Sequence, residues 1–464
     1  MKKILYVLIM LFAFVFVGCS ENQPVDLSEQ NNKIIALEEV LDAITDEIES
    51  FNTTISDLEQ QIADYEFEIE MLLEQIAELE AEDENYNGMI TALRKMVVEA
   101  QDKLKALTND VEALDNSVKV QLADEYYLVV GDNFQLFYQS IIQAADPYGY
   151  YIKIEGKNGH AYNRYYEFKP EKTGTYDLKI SVCNNNGVVL GSDSTKLIVS
   201  ENTVNAADNV KKTILCFGDS LTYDGTWVSH GLSKYIAAGY TNIKTIGASS
   251  KTVGSNVFYY EGRSGWQWSN YYGKYEDVLS PFTSTTSSSQ ISFKDYAKKY
   301  NVSQIDELYI LLTWNGIGGK FREFDLNDSF MSPAKKIIDT YHKEYPNGKV
   351  TLIGIPKPST HAGLGAYYEI GISNGDNYAQ SVTVMNYNQT LENWCKMEEY
   401  SSFMRYVDGM GQFDSEYNMP STGKPVNNQN TTTEPVGTSM GLHPTTNGYR
   451  QIGDAFFRAL MKEW

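Results

Sequence analysis

The chain has 464 residues, 42% of them hydrophobic and 13% aromatic, with 61 acidic against 38 basic side chains and a net charge of -23. That length asks for two or three folding units, and that apolar share excludes a disordered chain. The charge argues against nucleic acid and against adsorption to anionic lipid, since both need a basic patch.

At the start, Lys2 and Lys3 precede an apolar run, Ile4 to Val17, that ends at Gly18-Cys19 and then turns polar. About fourteen apolar residues fall short of the roughly 20 of a membrane-spanning helix, so residues 1–18 read as a cleaved export signal. Val17-Gly18-Cys19 resembles the lipobox of bacterial lipoproteins. The resemblance implies that Cys19 is acylated, becomes the first mature residue, and tethers the chain to a membrane of the bacterial cell envelope. Cys183, Cys216 and Cys395 are too few and too scattered for a disulfide framework and read as buried thiols. No Cys/His cluster has zinc-site spacing, so a metal is not implied.

From Ile34 to Leu79 apolar residues recur at alternating spacings of three and four, and the pattern resumes from Ile90 to Val118. This is a heptad seam, and residues 31–118 are expected to be a coiled coil through which the chain could form a homo-oligomer. The register survives the break at 82–88, which favours one long rod. Asn87-Gly88 would also suit the turn of a helical hairpin. Between Ile34 and Val118 stand 23 acidic residues and 4 basic ones, so most of the net charge is a solvated stalk surface.

After Lys119 short alternating runs are separated by turn residues: Tyr126 to Val130, Phe134 to Ile141, Tyr151 to Glu155, Tyr165 to Phe168, Thr175 to Val182 and Ser194 to Val199. Residues 120–202 therefore read as a small antiparallel β-sandwich of immunoglobulin type, without the Cys…Trp…Cys signature. Its tyrosines would either stack on sugars or fill strand faces.

From Lys211 strand-like and helix-like runs alternate: Thr213 to Phe217, Val228 to Ala238, Ile243 to Ala248, Leu308 to Thr313, Ser332 to Tyr345, Lys349 to Ile355, Ala379 to Tyr400, Met404 to Val407 and Gly448 to Met461. The rhythm predicts a three-layer α/β/α domain over 211–464, a parallel sheet covered by helices on both faces. Sites in such sheets lie at the carboxyl ends of the strands.

One strand, Ile214 to Phe217, runs directly into Gly218-Asp219-Ser220-Leu221, which puts a hydroxyl just past its carboxyl end. Three further blocks follow in order: Glu261-Gly262-Arg263-Ser264-Gly265-Trp266, then Leu311-Leu312-Thr313-Trp314-Asn315-Gly316, then Gly441-Leu442-His443-Pro444 before a terminal amphipathic helix. Together they resemble the conserved blocks of the SGNH or GDSL hydrolase family of esterases and acyl hydrolases, over roughly 211–464. The resemblance implies Ser220 as nucleophile and His443 as base, with an oxyanion hole from Ser220, Gly265 and Asn315, a mechanism that needs no cofactor. Two departures stand out. The usual Gly-x-Asn-Asp is altered around Asn315, and the acid that normally stands three residues before the His is replaced by Met440, which leaves Asp414, Glu416, Glu434 or a backbone carbonyl to orient the ring.

The expectation is an exported serine esterase, its substrate an acylated glycan or small molecule. Trp266, Trp268, Tyr271 and Tyr272 beside the second block would stack a sugar ring or else fill the core. The competing readings are a lipase or thioesterase of the same fold, and an adhesion or scaffold lipoprotein whose hydrolase fold is inactive.

Overall fold

The computed structural model describes residues 57–58, 60–77, 87–115, 118–144, 146–156, 158–318, 321–358, 374–437, 441–462 and 464. The export signal, Cys19, the first heptads and Met440 lie outside these residues. The chain divides into two compact units at Asp115/Asn116. No helix among the described residues is long and apolar enough to cross a membrane.

In the first unit, helical backbone over 60–77 is followed by α1 (Asn87–Asp115). Leu72, Ile76 and Val97 form one buried cluster, with Ile69 and Leu93 packed against it. The Lys103 ammonium lies 5.7 Å from the centre of the Tyr65 ring. Early residues of the first helix thus meet late residues of the second, so the helices run antiparallel as a hairpin. The single rod favoured by the register is corrected: the two halves of the seam bury each other, which gains apolar contact that a lone rod leaves to water.

The second unit opens with a small β-module. Its strands are β1 (Glu125–Val129), β2 (Phe134–Phe137), β3 (Tyr151–Glu155), β4 (His160–Ala161), β5 (Tyr165–Phe168), β6 (Gly174–Cys183) and β7 (Val189–Ser200). They form a four-stranded sheet in the order β1-β7-β6-β3 and a three-stranded sheet β2-β5-β4. One cluster, including Leu128, Phe134, Leu136, Tyr166, Ile180 and Leu197, fills the space between them. The all-antiparallel expectation fails at one edge, where β1 pairs parallel with β7. The run Phe134 to Ile141 is not one strand either, for β2 stops at Phe137 and Tyr138–Ile141 is a helical turn. The Tyr138 amide makes the last rung of the β2–β5 register, to the Arg164 carbonyl (3.0 Å), while the Phe137 amide, on the other edge, donates to the Gly411 carbonyl (2.9 Å); past that rung the chain turns helical.

The α/β region carries β8 (Lys212–Gly218), α2 (Thr226–Ala237), β9 (Ile243–Thr245), β10 (Ser249–Val253), β11 (Asn256–Gly262), β12 (Glu307–Leu311), α3 (Ser332–Glu344), β13 (Lys349–Ile353), α4 (Asn374–Lys396), β14 (Met404–Val407) and α5 (Thr446–Met461). The sheet order is β10-β11-β8-β12-β13-β14, with β9 paired to the start of β8. All pairings are parallel except β10 with β11. Every residue of β12, and all of β8 beyond Lys212, is buried, as expected of central strands covered on both faces. Cys183, Cys216 and Cys395 are buried free thiols.

The β-module is joined to this region by buried polar contacts rather than a loose tether. Tyr126 donates to Asp408 (2.6 Å), and Arg458 on α5 donates to Asp132 (2.8 Å), the Asn133 carbonyl (2.8 Å) and Gln412 (2.7 Å). Lys357, just past β13, is buried and donates to the carbonyls of Gln139 (3.1 Å) and Ile142 (3.2 Å). Loss of water pushes its pKa down to about 7.

Candidate active site

Three of the four blocks meet because three adjacent strands end together. Phe217 and Gly218 at the end of β8 pair with Glu261 and Gly262 on one side, and Gly218 pairs with Leu311 on the other. The strands approach so closely that a Cβ on Gly218 would lie 1.9 Å from the Leu311 carbonyl oxygen, so only glycine fits there.

Beyond Gly218 the chain turns into a short helix, Ser220–Tyr223, with Asp219 as its N-cap. Asp219 is buried, and its carboxylate accepts from the backbone N–H of Leu221, Thr313 and Trp314, each at 3.0 Å. It therefore ties the turn carrying Ser220 to the end of β12. Burial raises its pKa to about 6 in spite of these donors. The tie also holds a strained residue. Thr313 stands where the usual block has glycine, and its φ is +100°, a conformation that costs a β-branched residue about 1–3 kcal/mol.

The second block is fixed by buried polar groups. The Glu261 carboxylate accepts from Arg263 (2.8 Å) and Tyr296 (2.6 Å), and the Tyr271 hydroxyl reaches the carbonyls of Gly218 (2.7 Å) and Glu261 (2.8 Å). Gly265 follows with φ +80°, a left-handed value open to glycine at no steric cost. The Asn315 amide donates to the Trp266 carbonyl (3.1 Å), linking the second and third blocks. An amide nitrogen carries two hydrogens, so this bond leaves one to donate elsewhere.

His443 comes from the far end of the chain, on the loop that leads through Pro444 to Thr445, the N-cap of α5. Its Nε2 lies 2.8 Å from the Ser220 Oγ. The ring is half-buried, and desolvation alone moves its pKa below the ordinary histidine value. It is thus held toward the neutral form, whose free nitrogen can accept the hydroxyl proton.

Two of the acids considered for orienting that ring serve another partner. Asp414 accepts from Nη2 of Arg164 (2.6 Å), and Glu416 accepts from Nε of Arg164 (2.7 Å) and from the Tyr148 hydroxyl (2.9 Å). Opposite charge within reach captures both. The Glu434 side chain lies outside the described residues, and among those described no carboxylate is paired with His443.

The aromatic residues beside the second block are not a sugar platform. Trp266, Trp268 and Tyr271 are buried: Trp268 packs edge-on and Tyr271 tilted against Phe217, Trp266 packs edge-on against Tyr271, and Trp268 donates to the Tyr387 hydroxyl (2.9 Å). Tyr272 is partly buried against the same core. The exposed aromatic rings near the blocks are others: Tyr223, three residues after Ser220, and Tyr275, whose hydroxyl would lie 3.3 Å from a Cβ on Gly265. Sequence reading passed over Asp219, Thr313, Tyr275 and Arg164. Only Asp219 left a signal, as the middle residue of Gly-Asp-Ser.

The four blocks read from the sequence are thus brought together at one end of the sheet. No protein-family model matches the chain, and no curated protein sequence matches it. Among solved structures the chain is similar to a carbohydrate esterase family 3 protein from Talaromyces cellulolyticus, at 13% identity and a TM-score of 0.33, over 54% of this chain and 96% of that one. It is similar to an extracellular lipase from Streptomyces rimosus at 12% identity and a TM-score of 0.31, over 52% and 97% of the two chains. The periplasmic domain of a lipopolysaccharide acetyltransferase from Salmonella ser. Paratyphi A matches at 11% identity and a TM-score of 0.30, over 56% and 90%.

Proposed function

We propose that this protein is a cell-envelope serine esterase, anchored by lipid on Cys19, that removes acetyl or other short acyl groups from glycans. The observation that carries the reading is the 2.8 Å contact between Ser220 Oγ and His443 Nε2 at the carboxyl end of the sheet. His443 takes the hydroxyl proton as Ser220 Oγ attacks the ester carbonyl. The N–H groups of Ser220 and Gly265 and the free hydrogen of the Asn315 amide face the oxygen that becomes negative, each such donor being worth about 10²–10³ in rate. The tetrahedral species collapses as His443 returns the proton to the leaving alcohol. Water, activated by the same ring, then releases the acid.

The glycan part draws support from Tyr275 and Tyr223, exposed rings suited to stacking on a sugar, while the deeper aromatics close off the core. It is tested by incubating the full chain with acetylated oligosaccharides and, in parallel, with long-chain acyl glycerols. Release of acetate that stops with Ser220→Ala supports the reading. Turnover confined to the long-chain lipids would make it a lipase instead. The anchor is tested by Cys19→Ala, which should move the protein from the membrane fraction to the soluble one.

A further inference from the structure

Asp414 and Glu416 are not spare acids: the residue that binds them links the β-module to the loop of the proposed base. We infer that Arg164, in the β-module, is a positioning residue for His443; this rests on the reading of His443 as the base. Arg164 stands immediately before β5, and its carbonyl accepts from the Tyr138 amide at 3.0 Å, so its backbone is held within the module. Its guanidinium grips the loop after β14 at three points: Asp414 at 2.6 Å, Glu416 at 2.7 Å, and the face of Tyr417 with 4.2 Å from the guanidinium carbon to the ring centre. Both carboxylates are largely shielded from solvent, with 10% and 17% of their side chains exposed. Charge-assisted bonds of this kind are the stronger ones, and a planar fork holds its partners in a fixed orientation.

The grip continues to the base. Asp414 also accepts from the amides of Glu416 and Tyr417, each at 3.1 Å, and its carbonyl accepts from the Asn418 amide at 3.0 Å, which folds 414–418 into a closed turn. The Asn418 carbonyl then accepts from both the amide (2.9 Å) and the hydroxyl (3.1 Å) of Thr445. Thr445 is two residues past His443, and the residue between them, Pro444, has its φ fixed by its ring. Gln451 on α5 closes the arrangement, its side-chain oxygen accepting from the Asp414 amide (3.0 Å) and the Asn418 side chain (2.7 Å). The β-module therefore braces the His443 loop from outside.

The test uses the full chain carrying Arg164→Ala, Arg164→Lys, Thr445→Val and the Arg164→Ala/Thr445→Val pair. Short-chain aryl ester kinetics, phosphonate labelling of Ser220 and thermal unfolding are measured for each. Since a misplacement of about 1 Å can cost about 10²-fold in rate, Arg164→Ala should lose about that much in kcat with KM little changed. Arg164→Lys, which keeps one ion pair, should recover part of the loss. The double variant should be no worse than the poorer single one, because both act through the same turn. The inference is overturned if Arg164→Ala keeps the parent kcat, if the two losses multiply, or if kcat falls only as far as the folded fraction falls. Absence of Ser220 labelling in the parent protein would overturn the esterase reading and this inference with it, whereas labelled parent protein with an unaffected Arg164→Ala overturns the inference alone.

Discussion

The two halves of the proposed catalytic pair are held in different ways. Ser220 sits on a turn locked from inside the sheet, where Asp219 collects three backbone donors from the first and third blocks and neighbouring strands leave no room for a side chain at Gly218. His443 sits on a loop locked from outside, through Thr445, Asn418 and a turn gripped by Arg164 of another module. A nucleophile carried on the turn that ends its own strand leaves a mark in four consecutive residues, although strand neighbours far along the chain help to lock it. A base fixed by tertiary contacts leaves its mark in residues 250 positions apart, such as Arg164 and Asp414.

The comparison can be broken at either half. The largest effect is expected from His443→Ala, which should lower kcat by about 10⁴–10⁶ while the thermal unfolding midpoint stays close to the parent value. Asp219→Asn comes next. It turns one acceptor into a donor facing backbone N–H groups, so it should cost about 1–3 kcal/mol in denaturant unfolding and lower kcat by disturbing both Ser220 and Asn315. If that variant matched the parent in both measurements, the inner lock would not exist.

The pH dependence sharpens the account of the base. Burial disfavours the charged imidazole, so the folded pKa of His443 lies below the ordinary histidine value and the neutral ring is favoured. Activity should accordingly fall only as pH drops through that lowered pKa, giving a kcat/KM profile with its acid limb below pH 6.5. A limb above it would point to a carboxylate partner stabilising the imidazolium. The smallest effect is expected from Thr313→Gly. Removing the side chain relieves a φ of +100°, and after the entropy lost by placing glycine in a fixed turn the protein should gain about 1 kcal/mol of stability with kcat near the parent value.

Much of this was legible in the sequence for reasons of period. The α/β rhythm gave strands and helices whose ends moved by a few residues, and the heptad positions Ile69, Leu72, Ile76, Leu93 and Val97 are the ones that share a cluster. Period does not say which way a helix turns back, so a rod and a hairpin carry the same pattern. The sites of Ser220 and His443 were readable because each lies beside an element boundary. Whether Trp266, Trp268 and Tyr271 face a ligand or the core was not readable, because a buried aromatic and a stacking platform have the same composition. Asp414 and Glu416 were plausible partners for His443 until Arg164 entered from a segment that sequence order places far away. Three-dimensional competition for charge is invisible in one dimension.

The claim that Ser220 is the nucleophile is tested most directly by quenching the full chain during turnover of a short-chain aryl ester and weighing it. The account predicts one acyl adduct, located on Ser220 after proteolysis, and no adduct or turnover in Ser220→Ala. Turnover by Ser220→Ala at the parent rate would contradict it.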